Sequence, residues 1–252
     1  MTTCLSKLHI LNTRPTAQAH RLSQALKAHG ARVTELPCLD IQINLHSPTL
    51  ISLSKKLSEF DSIIFLSQNA AEGFKSYWSN TMASIIAVGP STATSINQFS
   101  QTDIIPKHYS SEGILLLDEM QQLREKKILV VCGNNNNGKL QHELTKRGAV
   151  VNTATSYRVL PHHLDTNKEL QKLKNNAINT VISTSSQSLQ QLHTWFAPLD
   201  KTWLNNLTLV IISNKMLALG KQLGWENQQL ILSQNATTLA ITNTLTRHMT
   251  GN

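Results

Sequence analysis

The chain has 252 residues, 40% hydrophobic and 5% aromatic, enough for one large globular domain or two small ones with real cores. No stretch approaches 18 apolar residues, and Met1 to Pro15 lacks the apolar run of a secretory leader, which argues against a membrane span or signal peptide. A net charge of +8 suits an acidic partner, but the basic residues are scattered, without a dense arm or an aromatic-studded RNA-binding pattern; a small polyanion would use the field equally well, and composition alone does not choose.

In chain order, short apolar runs near 8–12, 32–36, 61–66, 84–88, 103–105, 127–132, 150–152, 178–183, 207–212 and 230–232 predict strands. Amphipathic helices fill the gaps. The alternation predicts parallel sheets covered by helices on both faces. Two segments break the rhythm, "PCLDIQINL" from Pro37 and "ATSYRVLPHH" from Ala154. Both are extended, strand-like and Pro-bounded, and each follows a β-α-β unit, as a two-strand connector between domains would. Cys4, Cys38 and Cys132 are odd in number and widely spaced, which favours a reducing cytoplasm.

The chain reads as if written twice. Ile10 and Leu11 meet Ile128 and Leu129 at an offset of 118 positions, as do Leu22 and Leu140, Leu26 and Leu144, and Gly30-Ala31 and Gly148-Ala149. The same offset lays Ser67 on Ser185, and a later pair of strands, from Ile85 and Leu209, needs an offset of 124. Gene duplication is the economical explanation.

The stretch "VVCGNNNNGKL" satisfies the G-x-x-x-x-G-K of a phosphate loop, but Leu140 stands where Ser or Thr would hold magnesium. The first copy has Arg14-Pro15-Thr16-Ala17 at this place and no such motif. An ATP site is therefore disfavoured, and G-x-G-x-x-G is absent as well. The other strand-to-helix turns are Thr13-Arg14, Ser67-Gln68-Asn69, Gly89 to Thr92, Ser185-Ser186 and Ser213-Asn214-Lys215. They are rich in hydroxyls, amides and backbone donors and poor in carboxylates, histidine clusters and thiols. Such turns suit a carboxylate- or phosphate-rich ligand at strand carboxyl ends, and neither metal nor nucleophilic catalysis.

A T-R-P turn near the start, "FLSQNA", "AVGPSTA", a "GN…G" turn before a helix ending "RGA-V", and "SYRVLP" together resemble the uroporphyrinogen-III synthase family, over about residues 8 to 245. The resemblance implies two α/β domains joined by a two-stranded β-ladder, with the active site in the cleft between them. The expected division is a discontinuous first domain, 1–38 with 160–252, and a second, 39–159. The second includes connector strands at about 38–44 and 154–161. It further implies cyclisation of hydroxymethylbilane, a linear tetrapyrrole with an acetate and a propionate on every ring. Water is lost and ring D is inverted, without metal or organic cofactor. A cytoplasmic enzyme is implied, with no nucleic-acid or membrane partner and a transient contact with hydroxymethylbilane synthase. A monomer is expected, because no helix carries a second hydrophobic stripe.

Residue by residue, the resemblance makes Tyr157 the catalytic group that assists departure of the hydroxyl. It sets Ser67, Thr92 and Ser185 as positions lining the cleft; Arg14, and Lys139 and Lys215 as basic substitutes where the sequence departs from the family pattern, complete the substrate-binding candidates. Plainer readings stand beside these: a connector tyrosine, a surface arginine, serine N-caps, a first-turn threonine, a solvated lysine. Three features depart from the family pattern. The second G-P-x-T-A is replaced by Ser213 to Leu217, so no threonine is carried to Met216. Asn137 stands where an arginine is common. His162-His163 has no partner spacing for a metal site. A rival reading, a non-enzymatic two-lobed anion-binding protein, shares the architecture.

Overall fold

Runs of β-branched and aliphatic residues form short strands, linked by amphipathic helices, in a computed structural model that describes residues 4–44 and 46–251. The first elements are β1 (His9–Asn12), α1 (Thr16–Ala28), β2 (Arg32–Glu35), β3 (Leu39–Ile43) and α2 (Pro48–Ser54). Next come β4 (Ser62–Phe65), α3 (Gln68–Phe74), β5 (Ser84–Ala87), α4 (Pro90–Ile96) and α5 (Ser111–Leu115). They are followed by β6 (Lys127–Gly133), α6 (Lys139–Lys146), β7 (Val150–Pro161), α7 (Thr166–Asn175) and β8 (Thr180–Ile182). The last are α8 (Ser186–Asn206), β9 (Thr208–Ile211), α9 (Asn214–Leu223), β10 (Leu230–Leu232) and α10 (Thr238–Thr250).

The chain divides into two compact units, Met1–Asp40 with Leu160–Asn252, and Ile41–Val159. Met1–Thr3, Asn252 and Leu45, which ends the extended segment from Pro37, lie outside the described residues. Each unit is built on one five-stranded sheet, ordered β10-β9-β8-β1-β2 in the first and β3-β7-β6-β4-β5 in the second. The pairs β10-β9, β9-β8, β8-β1 and β1-β2 are parallel, as are β7-β6, β6-β4 and β4-β5. Parallel strands require helical crossovers that cover both faces, as the alternation of the sequence predicts.

Strand alternation sorts the second unit's core into two layers. Ile63, Phe65, Ile85, Ala87, Leu129 and Val131 meet α3 and α4 through Ala70, Phe74, Ala93 and Ile96. Their neighbours Ile64, Ile86, Ile128 and Val130 meet α5 and α6 through Ile114, Leu140 and Leu144. Ile63, Ile64, Leu129 and Val130 are fully buried, each contributing about 1.5–3 kcal/mol. In the first unit Ile10, Ile182, Val210 and Ile231 face Leu22 and Leu26 of α1 and Ile241 and Leu245 of α10. Leu209 faces the other way, toward Gly220 of α9.

This layering sets the switch points of the two sheets. The helices that follow the adjacent strands β6 and β4 leave to opposite faces of the second sheet, α6 to one and α3 to the other. Such a switch point opens a crevice beyond the strand carboxyl ends. The switch point itself lies between the turn at Leu66-Ser67 and the turn from Gly133 to Gly138. In the first unit the strand order reverses between β1 and β8, beside Thr13-Arg14 and Ser183 to Ser185.

Two strand expectations need correction. Residues 103–105 form only an isolated bridge, Ile104 to Ile86; Pro106 follows and offers no N–H to extend the ladder. The runs at 150–152 and from Ala154 are one continuous strand, β7, interrupted by nothing stronger than a register shift opposite Cys132 and Gly133. In its second half β7 meets β3 antiparallel. Asn44 N–H donates to Ser156 O (3.0 Å) and His162 N–H to Cys38 O (3.1 Å), so one partner number rises by six as the other falls by six.

Candidate functional site

At the switch point of the second unit, Tyr157 and Ser67 come together from positions 90 residues apart. Ser67 Oγ donates to Tyr157 Oη over 3.0 Å and accepts from Ala70 N–H at 3.1 Å, as the N-cap of α3. The tyrosine is only 7% exposed. Its ring lies over Gly133, where a Cβ would stand 2.5 Å from Cζ and 2.9 Å from Oη. The register shift of β6 against β7 pairs Gly133 with Tyr157 itself. Next to it, Ser156 Oγ donates to Ala70 O (3.0 Å), and a Cβ on Gly73 would lie 2.5 Å from Ser156 O. Two glycines thus let the turn and α3 close on β7. Burial pushes the Tyr157 phenol above its ordinary value, the Ser67 bond pulls it down, and Cys132 adds a small upward push. A neutral, protonated phenol is the outcome at neutral pH.

The asparagine turn is closed on itself. Asn134 N–H donates to Tyr157 O (3.2 Å) and Asn136 N–H to Gly133 O (3.2 Å). Asn136 Oδ1 accepts from Gly138 N–H (3.2 Å) and Asn137 Oδ1 from Lys139 N–H (3.1 Å). Asn134 Oδ1 accepts from Val159 N–H (2.9 Å), so this side chain prolongs the pairing onto the free edge of β7. A phosphate loop leaves its N–H groups open for the anion; here four of them are already engaged. Below the turn, on the α6 side, is a pocket of about 290 Å³, bounded by Cys132, Gln141, Thr153 and Thr155. Lys139, exposed, opens α6, where a helix dipole disfavours a cation. Its charge reaches Glu112, a carboxyl held low chiefly by its own backbone N–H and the Ser110 hydroxyl. Thr92 is 4% exposed in the first turn of α4.

In the first unit, Thr13 closes the switch point with its backbone N–H (3.2 Å) and hydroxyl (2.8 Å), both donating to Ile182 O. Arg14 Nη2 donates to Ala236 O at 2.7 Å, while its buried Nε has no hydrogen-bond partner in the protein. Burial lowers the guanidinium pKa from its ordinary value. Ser185 caps α8, accepting from Ser188 N–H (3.0 Å) and donating to Ser188 Oγ (2.9 Å). Lys215 is exposed in the first turn of α9, beside the Ser213 cap. Among the described hydrogen bonds and ion pairs, none joins Arg14, Ser185 and Lys215 to one another. Among the described residues, no group of three or more His, Cys, Asp or Glu could hold a metal ion. Among them too, no helix is long and apolar enough to cross a membrane.

Residues 20–240 match the family described as Uroporphyrinogen-III synthase HemD. The chain belongs to the uroporphyrinogen-III synthase family. The enzyme of that name from Salmonella typhimurium is 28% identical over 232 residues, 87% of this chain and 93% of the relative. Uroporphyrinogen III synthase from Thermus thermophilus, a mutant crystal structure, superposes with a TM-score of 0.66 at 11% identity, covering 97% of this chain and 100% of that one. The Helicobacter pylori uroporphyrinogen-III synthetase gives 0.58 at 17% identity, over 94% and 99%. Membership makes the chain an enzyme, a lyase of porphyrin biosynthesis, and disfavours the anion-binding rival.

For a uroporphyrinogen-III synthase, the informative additions to the sequence reading are Gly133, Asn134 and Gly73. The turn at Gly133-Asn134 stood out in the sequence but its contact with Tyr157 did not, nothing marked Gly73, and the run of asparagines was itself the signal for side-chain capping. Met216, where the family pattern carries a second threonine, is 2% exposed and packed inside.

Proposed function

We propose that the chain cyclises hydroxymethylbilane to uroporphyrinogen III, with loss of water and inversion of ring D, and that Tyr157 is the catalytic residue. The observation that carries this reading is the seating of Tyr157. Its hydroxyl accepts a hydrogen bond from Ser67, keeps its own proton, and lies at a switch point. The hydroxymethyl group leaves as water when its oxygen receives a proton, and a phenol O–H placed there stabilises that departure. The azafulvene left on ring A is attacked by the substituted α-carbon of ring D. The resulting spiro intermediate fragments, recloses and loses a proton. No oxidant or hydride is needed at any step.

The substrate's acetates and propionates call for cations and N–H donors. Lys139 in the second unit, with Arg14 and Lys215 in the first, are assigned to the carboxylates. Thr92 and Ser185 line the turns. Three cysteines without disulfide partners support a reducing compartment, the cytoplasm. Transient hand-over of the bilane by hydroxymethylbilane synthase belongs to the same reading. Fresh hydroxymethylbilane incubated with the protein, with isomers I and III separated afterwards, tests the activity. Isomer III in excess of the spontaneous isomer I is expected; isomer I alone refutes it.

A common origin of the two units is part of the proposal. Gly30 and Gly148, 118 positions apart, both end their helices at φ +94°. The order β9-β8-β1-β2 corresponds to β5-β4-β6-β7 when strands are matched at the repeat offsets. The antiparallel stretches of β3 and β7 would be the connector between the units.

A further inference from the structure

We infer that Ser67 is a positioning residue for Tyr157 and not a ligand of the substrate, an assignment that rests on the catalytic reading of Tyr157 above. A serine hydroxyl has one proton to donate, and Ser67 gives it to Tyr157 Oη at 3.0 Å. On its acceptor side Ser67 already takes Ala70 N–H at 3.1 Å. A carboxylate only accepts hydrogen bonds, so Ser67 could serve one only by releasing Tyr157.

For the phenol the consequence is directional. Its oxygen is engaged as an acceptor from the Ser67 side, which leaves the phenolic proton to point elsewhere. The ring cannot swing to choose another partner, because Gly133 lies beneath it and the side chain is 7% exposed. The serine is itself fixed, as the cap of a helix that Ser156 and Gly73 hold against β7. The chain of contacts Ala70 N–H, Ser67 Oγ–H, Tyr157 Oη–H therefore aims one proton outward, and the phenol, as donor to the departing hydroxyl, is where it ends.

The test uses the full-length protein with Ser67→Ala, Ser67→Gly and Ser67→Thr, each alone and with Tyr157→Phe. Glycine keeps a competent N-cap without a hydroxyl, and threonine keeps both. Expected are a three- to tenfold loss of kcat in the Ala and Gly variants, KM within twofold, and recovery in the Thr variant. In the Tyr157→Phe background the same changes should cost nothing further, since two residues acting as one unit are not additive. An ultraviolet titration of the phenols, with Tyr157→Phe as the subtraction control, should show Tyr157 ionising at higher pH once Ser67 is gone. A rise in KM at unchanged kcat, additive losses in the double variants, or an unmoved Tyr157 titration would overturn the assignment. If the wild type makes no isomer III, the activity reading fails while the titration still reports whether Ser67 acts on Tyr157.

Discussion

Gly133→Ala tests the seat of the tyrosine with a single methyl group. The added Cβ would lie 2.5 Å from Tyr157 Cζ and 2.9 Å from both Cε2 and Oη, where ordinary contact begins at 3.4 Å. The ring must therefore retreat by about 0.9 Å. The backbone itself does not resist, because Gly133 is not among the positive-φ positions. Retreat of that size is large beside the few tenths of an ångström by which a 3.0 Å hydrogen bond can lengthen, so the bond to Ser67 is weakened or lost. Overpacking of this kind costs about 1–3 kcal/mol of stability. A displacement of about 1 Å in a reacting group costs on the order of 10²-fold in rate. Steady-state assay of isomer III formation, beside urea unfolding of the same preparations, separates the two effects. A variant with wild-type kcat and wild-type stability would show that the phenol does not depend on this seat, and the site as drawn would be wrong.

Tyr157→Phe keeps the ring and removes only the hydroxyl, so kcat should fall about ten- to a hundredfold with KM little changed; full activity with full isomer selectivity in the same assay would make the residue structural. Lys139→Ala should raise KM a few-fold and flatten its salt dependence, the worth of one exposed charge contact of about 0.3–1 kcal/mol; KM measured across a salt series checks it. Burial holds the Cys38 thiol at about 12 against an ordinary 9.0. Folded protein then keeps a proton that the unfolded chain loses, so stability is full below pH 9.0 and falls as pH rises toward 12. Thermal unfolding across that window should show a smaller alkaline loss for Cys38→Ala than for the wild type; identical slopes would remove Cys38 from the account.

The layers of the fold were legible because strand alternation and helix periodicity are local. Ile63 and Ile64, adjacent in sequence, must face opposite helices, and they do. The limits of that reading were equally physical. "DII" at 103–105 had the composition of a strand, but the following proline left it a single bridge. Thr153 looked like a break between two strands, yet nothing there prevents an extended chain, and β7 runs through it. Four asparagines resembled an open phosphate loop because the pattern records residue types and not where their amides turn. Pairing of Ser67 with Tyr157 was beyond any local pattern. It depends on a register shift opposite Gly133 and on two strands that are neither consecutive nor adjacent, β4 and β7, meeting across β6.

Those same hydrogen bonds decide which groups can carry the charge of a polycarboxylate substrate. Ser67 and Ser185 have each spent their one proton inside the protein, on Tyr157 and on Ser188. The N–H groups of residues 134, 136, 138 and 139 are bonded within the second unit. The groups proposed for the carboxylates are cations: Lys139 and Lys215, exposed, and Arg14, with Nη2 tied to Ala236 O and Nε unpartnered. Binding that rests on cations is screened by salt, whereas binding to buried N–H groups is not. KM should therefore climb with ionic strength while kcat, set by the buried Tyr157 hydroxyl, stays level. Were kcat to fall with salt and KM to hold, the division of labour between exposed cations and a buried phenol would be refuted.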